Sequence, residues 1–342
     1  MLNSKILVAL VFAAAWVPGL YHPDGRVEMM TVSGSSAPTY VFATYAETRE
    51  QLRGARNLAE SVRDFSGQYS QSAIRVYVPD DIDIPMDEIR EMFAPVDADI
   101  RVSHTPETAR WFYFAGKTYA AGLAEKDAEG TAAILVWMDD DTIILEEPSL
   151  FRLDPKVSFS YRPVMHNRSG SLFGKPPDAF WSRIYDVLGV GDEKLFPMVT
   201  PADRQKVRAY FNAGLLVVRP EKGVLRKWGQ DFTRLIEDTV LVNMCRENVD
   251  KRIFLHQTAL VGAVLNTLAR DELVELPASY NYPLFFEQMF EASSEFGTID
   301  GITTLRYDVY FRNPDPRWSE KLKGPAEKIA WLKARLGKKA DK

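Results

Sequence analysis

The stretch Ile134-Leu135-Val136-Trp137-Met138-Asp139-Asp140-Asp141 decides how the rest of the chain is read. Its apolar run, which continues back through Ala133 and Ala132, lacks the alternation of a half-exposed strand. It predicts a strand buried on both faces, as in a parallel sheet. Open parallel sheets bind ligands at the carboxyl ends of their strands, and this strand delivers three carboxylates to that edge. Taken alone, three acids suit a solvated turn or a helix cap equally well. Neighbouring carboxylates raise one another's pKa unless a cation lies between them. A divalent ion shared with substrate phosphates is a common partner.

Upstream, the pattern alternates. Residues Tyr40 to Thr44 read as a strand, and Thr48 with Gln51 gives a capping-box signal before Leu52, Ala55, Ala59 and Val62 recur at helical spacing. Ile74 to Val78 and Asp99 to Val102 read as strands, Asp87 to Phe93 and Thr108 to Ala124 as helices. Strand and helix in alternation predict a doubly wound α/β sheet. Downstream the order loosens, with strands expected at Val157 to Tyr161 and Leu215 to Arg219 and helices at Val224 to Leu241 and Gln257 to Leu268. No repeat of fixed period is visible, and one large domain over 39–318 is expected.

Composition narrows the chemistry. Of 342 residues, 46% are hydrophobic and 26% charged, which excludes collagenous, disordered and polytopic membrane classes. Forty-two basic residues against 47 acidic ones leave a net charge of -5, so no nucleic-acid partner is expected. One cysteine, Cys245, and four histidines, His22, His104, His166 and His256, exclude an internal disulfide, a zinc finger and an iron–sulfur cluster. A metal here would need mostly oxygen ligands.

The ends carry their own signals. Lys5 followed by the apolar run Ile6 to Val17, then Pro18 and Gly19, reads as a signal peptide or membrane anchor over 1–20, with 21–38 as a tether. An exported or membrane-associated protein is expected, with the side of the membrane open. Residues 319–342 read as a basic helix carrying Ile329, Leu332 and Leu336 on one face. Such a helix either docks on its own domain or touches an anionic membrane.

Three further segments could carry chemistry. Phe211-Asn212-Ala213-Gly214 precedes an apolar strand and reads as a tight turn or a site edge. His256-Gln257-Thr258 reads as a helix start, where the positive end of the dipole favours phosphate or sugar hydroxyls. Leu276-Pro277-Ala278-Ser279-Tyr280-Asn281-Tyr282-Pro283 reads as an extended, aromatic-rich loop.

In their order and spacing, the Asp-X-Asp strand end, the Phe-Asn-Ala-Gly segment, the Gln-containing helix and the Leu-Pro-X-X-Tyr-Asn-Tyr loop resemble the glycosyltransferase family 8 group. The resemblance runs from about Thr39 to Pro314. It implies a GT-A fold, a Rossmann-like mixed central sheet flanked by helices. It also implies a metal-dependent transferase that moves a sugar from a nucleoside diphosphate donor, UDP above all, to a glycan, lipid or protein acceptor with retention. Manganese, or magnesium, would be held by Asp139 and Asp141. Asp140 would lie near the donor ribose, and Asn212 and Gln257 would act at the transferred sugar. Thr44, Tyr45, Lys117 and His256 would contact the donor.

The chain departs from that pattern in two places. His256-Gln257-Thr258 stands where the family usually has Asp-Gln-Asp. The family's late histidine ligand has no counterpart, because no histidine follows His256 and the corresponding stretch is Thr303-Thr304-Leu305-Arg306-Tyr307-Asp308. Asp308 is the expected oxygen ligand in its stead, with Arg306 able to replace part of the metal charge on a diphosphate. The alternative function is a GT-A-like protein that binds a nucleotide sugar or glycan without turnover. A haloacid-dehalogenase-type phosphatase is disfavoured because Ile143 stands where that motif needs threonine. Walker and Gly-X-Ser-X-Gly motifs are absent.

Overall fold

The computed structural model describes residues 39–284, 298–307, 320 and 322–336. Five strands and three helices make the first half: β1 (Tyr40–Tyr45), α1 (Arg49–Phe65), β2 (Ala73–Pro79), α2 (Met86–Phe93), β3 (Ala98–Ser103), α3 (Ala115–Ala128), β4 (Ile134–Met138) and β5 (Thr142–Ile144). The second half contributes β6 (Phe159–Pro163), α4 (Ala179–Leu188), β7 (Pro197–Val199), β8 (Lys206–Arg208) and β9 (Phe211–Val218). It continues with α5 (Val224–Glu237), α6 (Thr239–Glu247), α7 (Val249–Thr267), β10 (Leu273–Glu275), β11 (Tyr282–Pro283), β12 (Thr304–Arg306) and α8 (Ala326–Leu336).

A seven-stranded sheet in the order β10-β6-β9-β4-β1-β2-β3 forms the centre. The strands from β4 to β3 run parallel, as the alternation predicts, whereas β9 is antiparallel to both β4 and β6. The sheet is therefore mixed and Rossmann-like, in agreement with the GT-A expectation. Strand β4 is buried throughout. Its Leu135 and Trp137 pack among residues of α3, α5 and α7, and its Ile134, Val136 and Met138 pack against α1 and α2. Helices on both faces explain why no polar residue interrupts the strand.

Three sequence expectations are corrected. Phe211-Asn212-Ala213-Gly214 is not a turn: β9 begins at Phe211, and all four residues are buried in the sheet. The buried Asn212 is tolerated there because its side chain finds long-range partners described below. His256 does not open a helix. Asn248 caps α7 by accepting the Lys251 N–H at 3.1 Å, which places His256 in the helix interior. The helix expected over Val224 to Leu241 ends early, because Asp238 breaks it and caps α6 through the Leu241 N–H at 2.9 Å.

Helix α8 lies against the domain. Leu332 is fully buried, Lys328 pairs with Glu146 at 3.0 Å, and Trp331 Nε1 donates to Asp64 at 2.6 Å. No described helix is long and apolar enough to cross a membrane. The expected leader and tether over 1–38 lie outside the described residues.

Packing between α3 and α5 buries a carboxylate with a measurable consequence. Helix α5 starts after Gly223 without a side-chain cap of its own. Glu125 of α3 supplies one, accepting the Leu225 N–H at 3.1 Å and the Arg226 N–H at 2.8 Å. Burial outweighs these hydrogen bonds and pushes the Glu125 carboxyl up to about 7. The folded state then holds a proton that the unfolded chain has released, so this group's contribution declines as pH rises from about 4.5 to 7, by roughly 3 kcal/mol. His256, pushed down to about 3 by burial, has the opposite slope in acid. Comparing wild type with Glu125→Gln in urea cancels the histidine. The stability difference between them should shift against the wild type between pH 5 and pH 8, and a difference that stays flat would contradict the assignment.

Candidate active site

At the end of β4 the chain turns sharply, with the Thr142 N–H donating to the Asp139 carbonyl at 3.1 Å, and continues as β5. The Asp139 N–H extends the β4–β9 ladder to Gly214 O at 2.9 Å. Strand β5 pairs antiparallel with β12, which sets Arg306 opposite Thr142, and the Tyr307 N–H donates to the Asp141 carbonyl at 3.0 Å. The backbone itself thus carries Arg306 to the acidic turn from 165 residues away.

These side chains face a cleft of about 380 Å³. Its walls include Tyr45, Lys117, Phe114, Arg306 and Tyr307 beside the three aspartates, with Thr48 and Gln51 of the α1 cap at one rim. Lys117 stands in the first turn of α3, only 7% exposed, and forms an ion pair with Asp139 Oδ1. Arg306 Nη2 lies 3.4 Å from Asp139 Oδ2, and its Nε lies 3.1 and 3.2 Å from the two oxygens of Asp141.

The electrostatics separate the acids. Burial opposes ionisation of Asp139, but Lys117 and Arg306 overcome it and hold the carboxyl below the ordinary carboxylate range. Asp140 lies well above that range, through burial first and then the charges of Asp141 and Asp139. Two glycines make room for this turn. A Cβ on Gly54 of α1 would stand 2.6 Å from the Asp140 carbonyl oxygen, and one on Gly214 would stand 2.9 Å from Asp139 Oδ2.

Other expected site residues form a layer behind the cleft lining. Asn212 Oδ1 accepts the Gly214 N–H at 2.8 Å and the Asn281 Nδ2–H at 3.1 Å, and Gln257 Oε1 accepts the Ala213 N–H at 3.4 Å. Both side chains brace the strand that carries Gly214. His256 Nδ1 donates to the Ile253 carbonyl at 2.8 Å, and its ring lies 4.7 Å from that of Phe114. Burial, with the Lys117 ammonium next in weight, pushes His256 down to about 3, so its ring is neutral at physiological pH. Tyr45 reaches the cleft and donates to Glu47 Oε2 at 3.0 Å. Thr44 does not line it: successive strand residues face opposite ways, and Thr44 is 1% exposed on the other side of β1. Asp308 lies outside the described residues.

Phe114, Gln51, Gly54 and Tyr307 join the cleft without having been singled out from sequence. Only Gln51 left a signal there, as half of the expected capping box: Thr48 Oγ1 accepts the Gln51 N–H at 3.2 Å, whereas Gln51 Oε1 reaches back to the Glu47 N–H at 3.0 Å. Phe114 adopts a left-handed backbone at φ 60°, directly before α3, which turns its ring over the cleft.

Residues 46–267 match the sequence profile of the Rhodobacterales glycosyltransferase domain. The chain belongs to that family. It is a glycosyltransferase by membership, and the cleft at the end of β4 is where its fold gathers charged side chains. No curated protein sequence matches it. Among solved structures it is similar to the galactosyltransferase LgtC in complex with donor and acceptor sugar analogs, at 14% identity and a TM-score of 0.46, covering 86% of this chain and 100% of that one. Mouse xyloside xylosyltransferase 1 is similar at 11% identity and 0.42, covering 80% and 98%. The glycosyltransferase GlyE of Streptococcus pneumoniae TIGR4 is similar at 17% and 0.41, covering 88% and 61%.

The family 8 resemblance implies manganese or magnesium on Asp139 and Asp141. Among the described residues, which do not include Asp308, the donor set does not fit that ion. Both carboxylates already face cations, Lys117 on one side and Arg306 across the pair, and an arriving dication would have to displace a guanidinium held by two carboxylates. Among the described residues, no three His, Cys, Asp or Glu side chains gather as a metal site.

Proposed function

We propose that this Rhodobacterales-type glycosyltransferase moves a sugar from a nucleoside diphosphate donor, UDP above all, to a hydroxyl of a glycan, lipid or protein acceptor, with retention at the anomeric carbon. One observation carries the reading: Lys117 and Arg306 converge with Asp139 and Asp141 at the carboxyl edge of β4, in a cleft of ligand size. Breaking the bond between the sugar and the diphosphate develops negative charge on the leaving oxygen. Fixed cations aimed at that oxygen stabilise the transition state more than the ground state. Asp139 and Asp141 hold those cations in place, Tyr45 and Phe114 offer faces beside the donor, and Asn212 with Gln257 supports the strand under the transferred sugar. The manganese or magnesium expected from the Asp-X-Asp resemblance forms no part of this reading, for the charge reasons given above.

A thermal-shift screen of nucleoside diphosphate sugars tests it. A ligand at a hundred times its Kd stabilises by about 2.7 kcal/mol, enough to raise Tm by several degrees. One UDP-sugar should stand out, and NMR of the product should show the anomeric configuration retained. If no nucleoside diphosphate sugar stabilises the protein or is consumed with any acceptor, the proposal is wrong.

A further inference from the structure

Arg306 spans Asp139 and Asp141, the pair that the family 8 resemblance implies for a metal ion, and several independent restraints keep it there. Its strand β12 pairs with β5, and the next residue, Tyr307, donates its N–H to the Asp141 carbonyl at 3.0 Å. Its guanidinium spans the acidic pair, 3.1 and 3.2 Å from the oxygens of Asp141 and 3.4 Å from Asp139. Gly214 leaves the space beneath it open, since a Cβ there would stand 3.2 Å from Nη1. Lys117 takes the other oxygen of Asp139. Asp139 and Asp141 thus already face Lys117 and Arg306, and a dication would have to displace the guanidinium that spans them.

We propose that Arg306 takes the place of the divalent ion, bridging Asp139 and Asp141 to the donor diphosphate, so that donor binding and sugar transfer proceed without metal. This rests on the nucleoside diphosphate reading above. A guanidinium suits the role because its five N–H donors lie in a planar fork that meets carboxylate and phosphate together, which the point charge of a lysine does not do. Its charge is permanent, so the bridge persists across the whole physiological pH range. The Lys117 ammonium, on the other oxygen of Asp139, adds a second positive group to the cleft lining.

The test uses the full chain and UDP as the probe, by titration calorimetry, in EDTA and again in manganese. Wild-type affinity should agree within about twofold between the two conditions. Arg306→Ala should weaken UDP binding in EDTA by roughly tenfold to a hundredfold, the size expected for losing a charge-assisted hydrogen bond. Arg306→Lys keeps the charge and loses the fork, and should still weaken binding by about tenfold, which decides the matter if the alanine variant folds poorly. Arg306→His, which removes the fixed cation and offers an imidazole, should bind manganese measurably by electron paramagnetic resonance where the wild type does not. UDP binding that appears only with manganese, or tight manganese binding by the wild type, would overturn the inference and leave the donor reading intact. Absence of UDP and other nucleoside diphosphate binding in both conditions would overturn the donor reading and the inference with it.

Discussion

Asp139→Ala should lower sugar transfer by about two to three orders of magnitude, the range found when a preorganised charge contact at a reacting centre is removed. Asp139 touches both Lys117 and Arg306, the first on one oxygen and the second on the other. Its side chain is 13% exposed and that of Lys117 only 9%. Removing the carboxylate leaves a nearly buried ammonium without its partner, and breaking a buried pair from one side costs about 3 to 5 kcal/mol. Two consequences are therefore expected together, lower stability and lower turnover. They separate in a double variant. Asp139→Asn with Lys117→Met removes both charges and should recover most of the stability, while turnover stays low because the cations are no longer set against the leaving group. Urea unfolding and single-turnover assays on the wild type and both variants read this out. An alanine variant that transfers sugar within about threefold of wild type would show that the acidic turn is structural only.

The residues that were legible from sequence and those that were not differ in how far their partners lie along the chain. Strand β4 declared itself because burial on both faces leaves a local trace, five apolar residues without alternation. The Thr48 cap was equally local, since donor and acceptor stand three residues apart. Asn212 was misread as a turn because its side-chain partner, Asn281, lies 69 residues away. An asparagine inside a buried strand makes sense only once that partner is known. His256 was misplaced for a related reason: the polar His-Gln-Thr triplet resembles a cap, but Asn248 already caps the helix, and the positions from Leu255 to Leu265 are all buried. Arg306 reaches the acidic turn through the pairing of β12 with β5; the family resemblance set it beside the diphosphate, but its contacts with Asp141, 165 residues away, and with Asp139 left no local trace. Thr44 was the exception. The period-two rule already sets neighbouring strand residues on opposite faces, so Thr44 and Tyr45 were never both able to face the cleft.

The second large effect lies behind the site. Trp228→Ala should destabilise the protein by about 3 to 5 kcal/mol, the range for truncating a buried large aromatic, and lower Tm by on the order of 10 °C. Trp228 is fully buried in α5, its ring lies 6.4 Å from that of His256, and its Nε1 donates to the His256 carbonyl at 2.6 Å. It links α5 directly to the stretch of α7 that carries Gln257. That helix holds the Ala213 N–H through Gln257 Oε1 at 3.4 Å, near the limit of hydrogen-bond reach, so a small shift of α7 breaks the contact. Trp228→Phe keeps most of the volume and loses only the N–H, and should cost about 1 kcal/mol. Turnover should follow the same order, with the alanine variant impaired more than the phenylalanine variant even at temperatures where both are folded. Equal turnover in the two folded variants would mean that α7 is held without Trp228 and that Gln257 owes its position to the sheet alone.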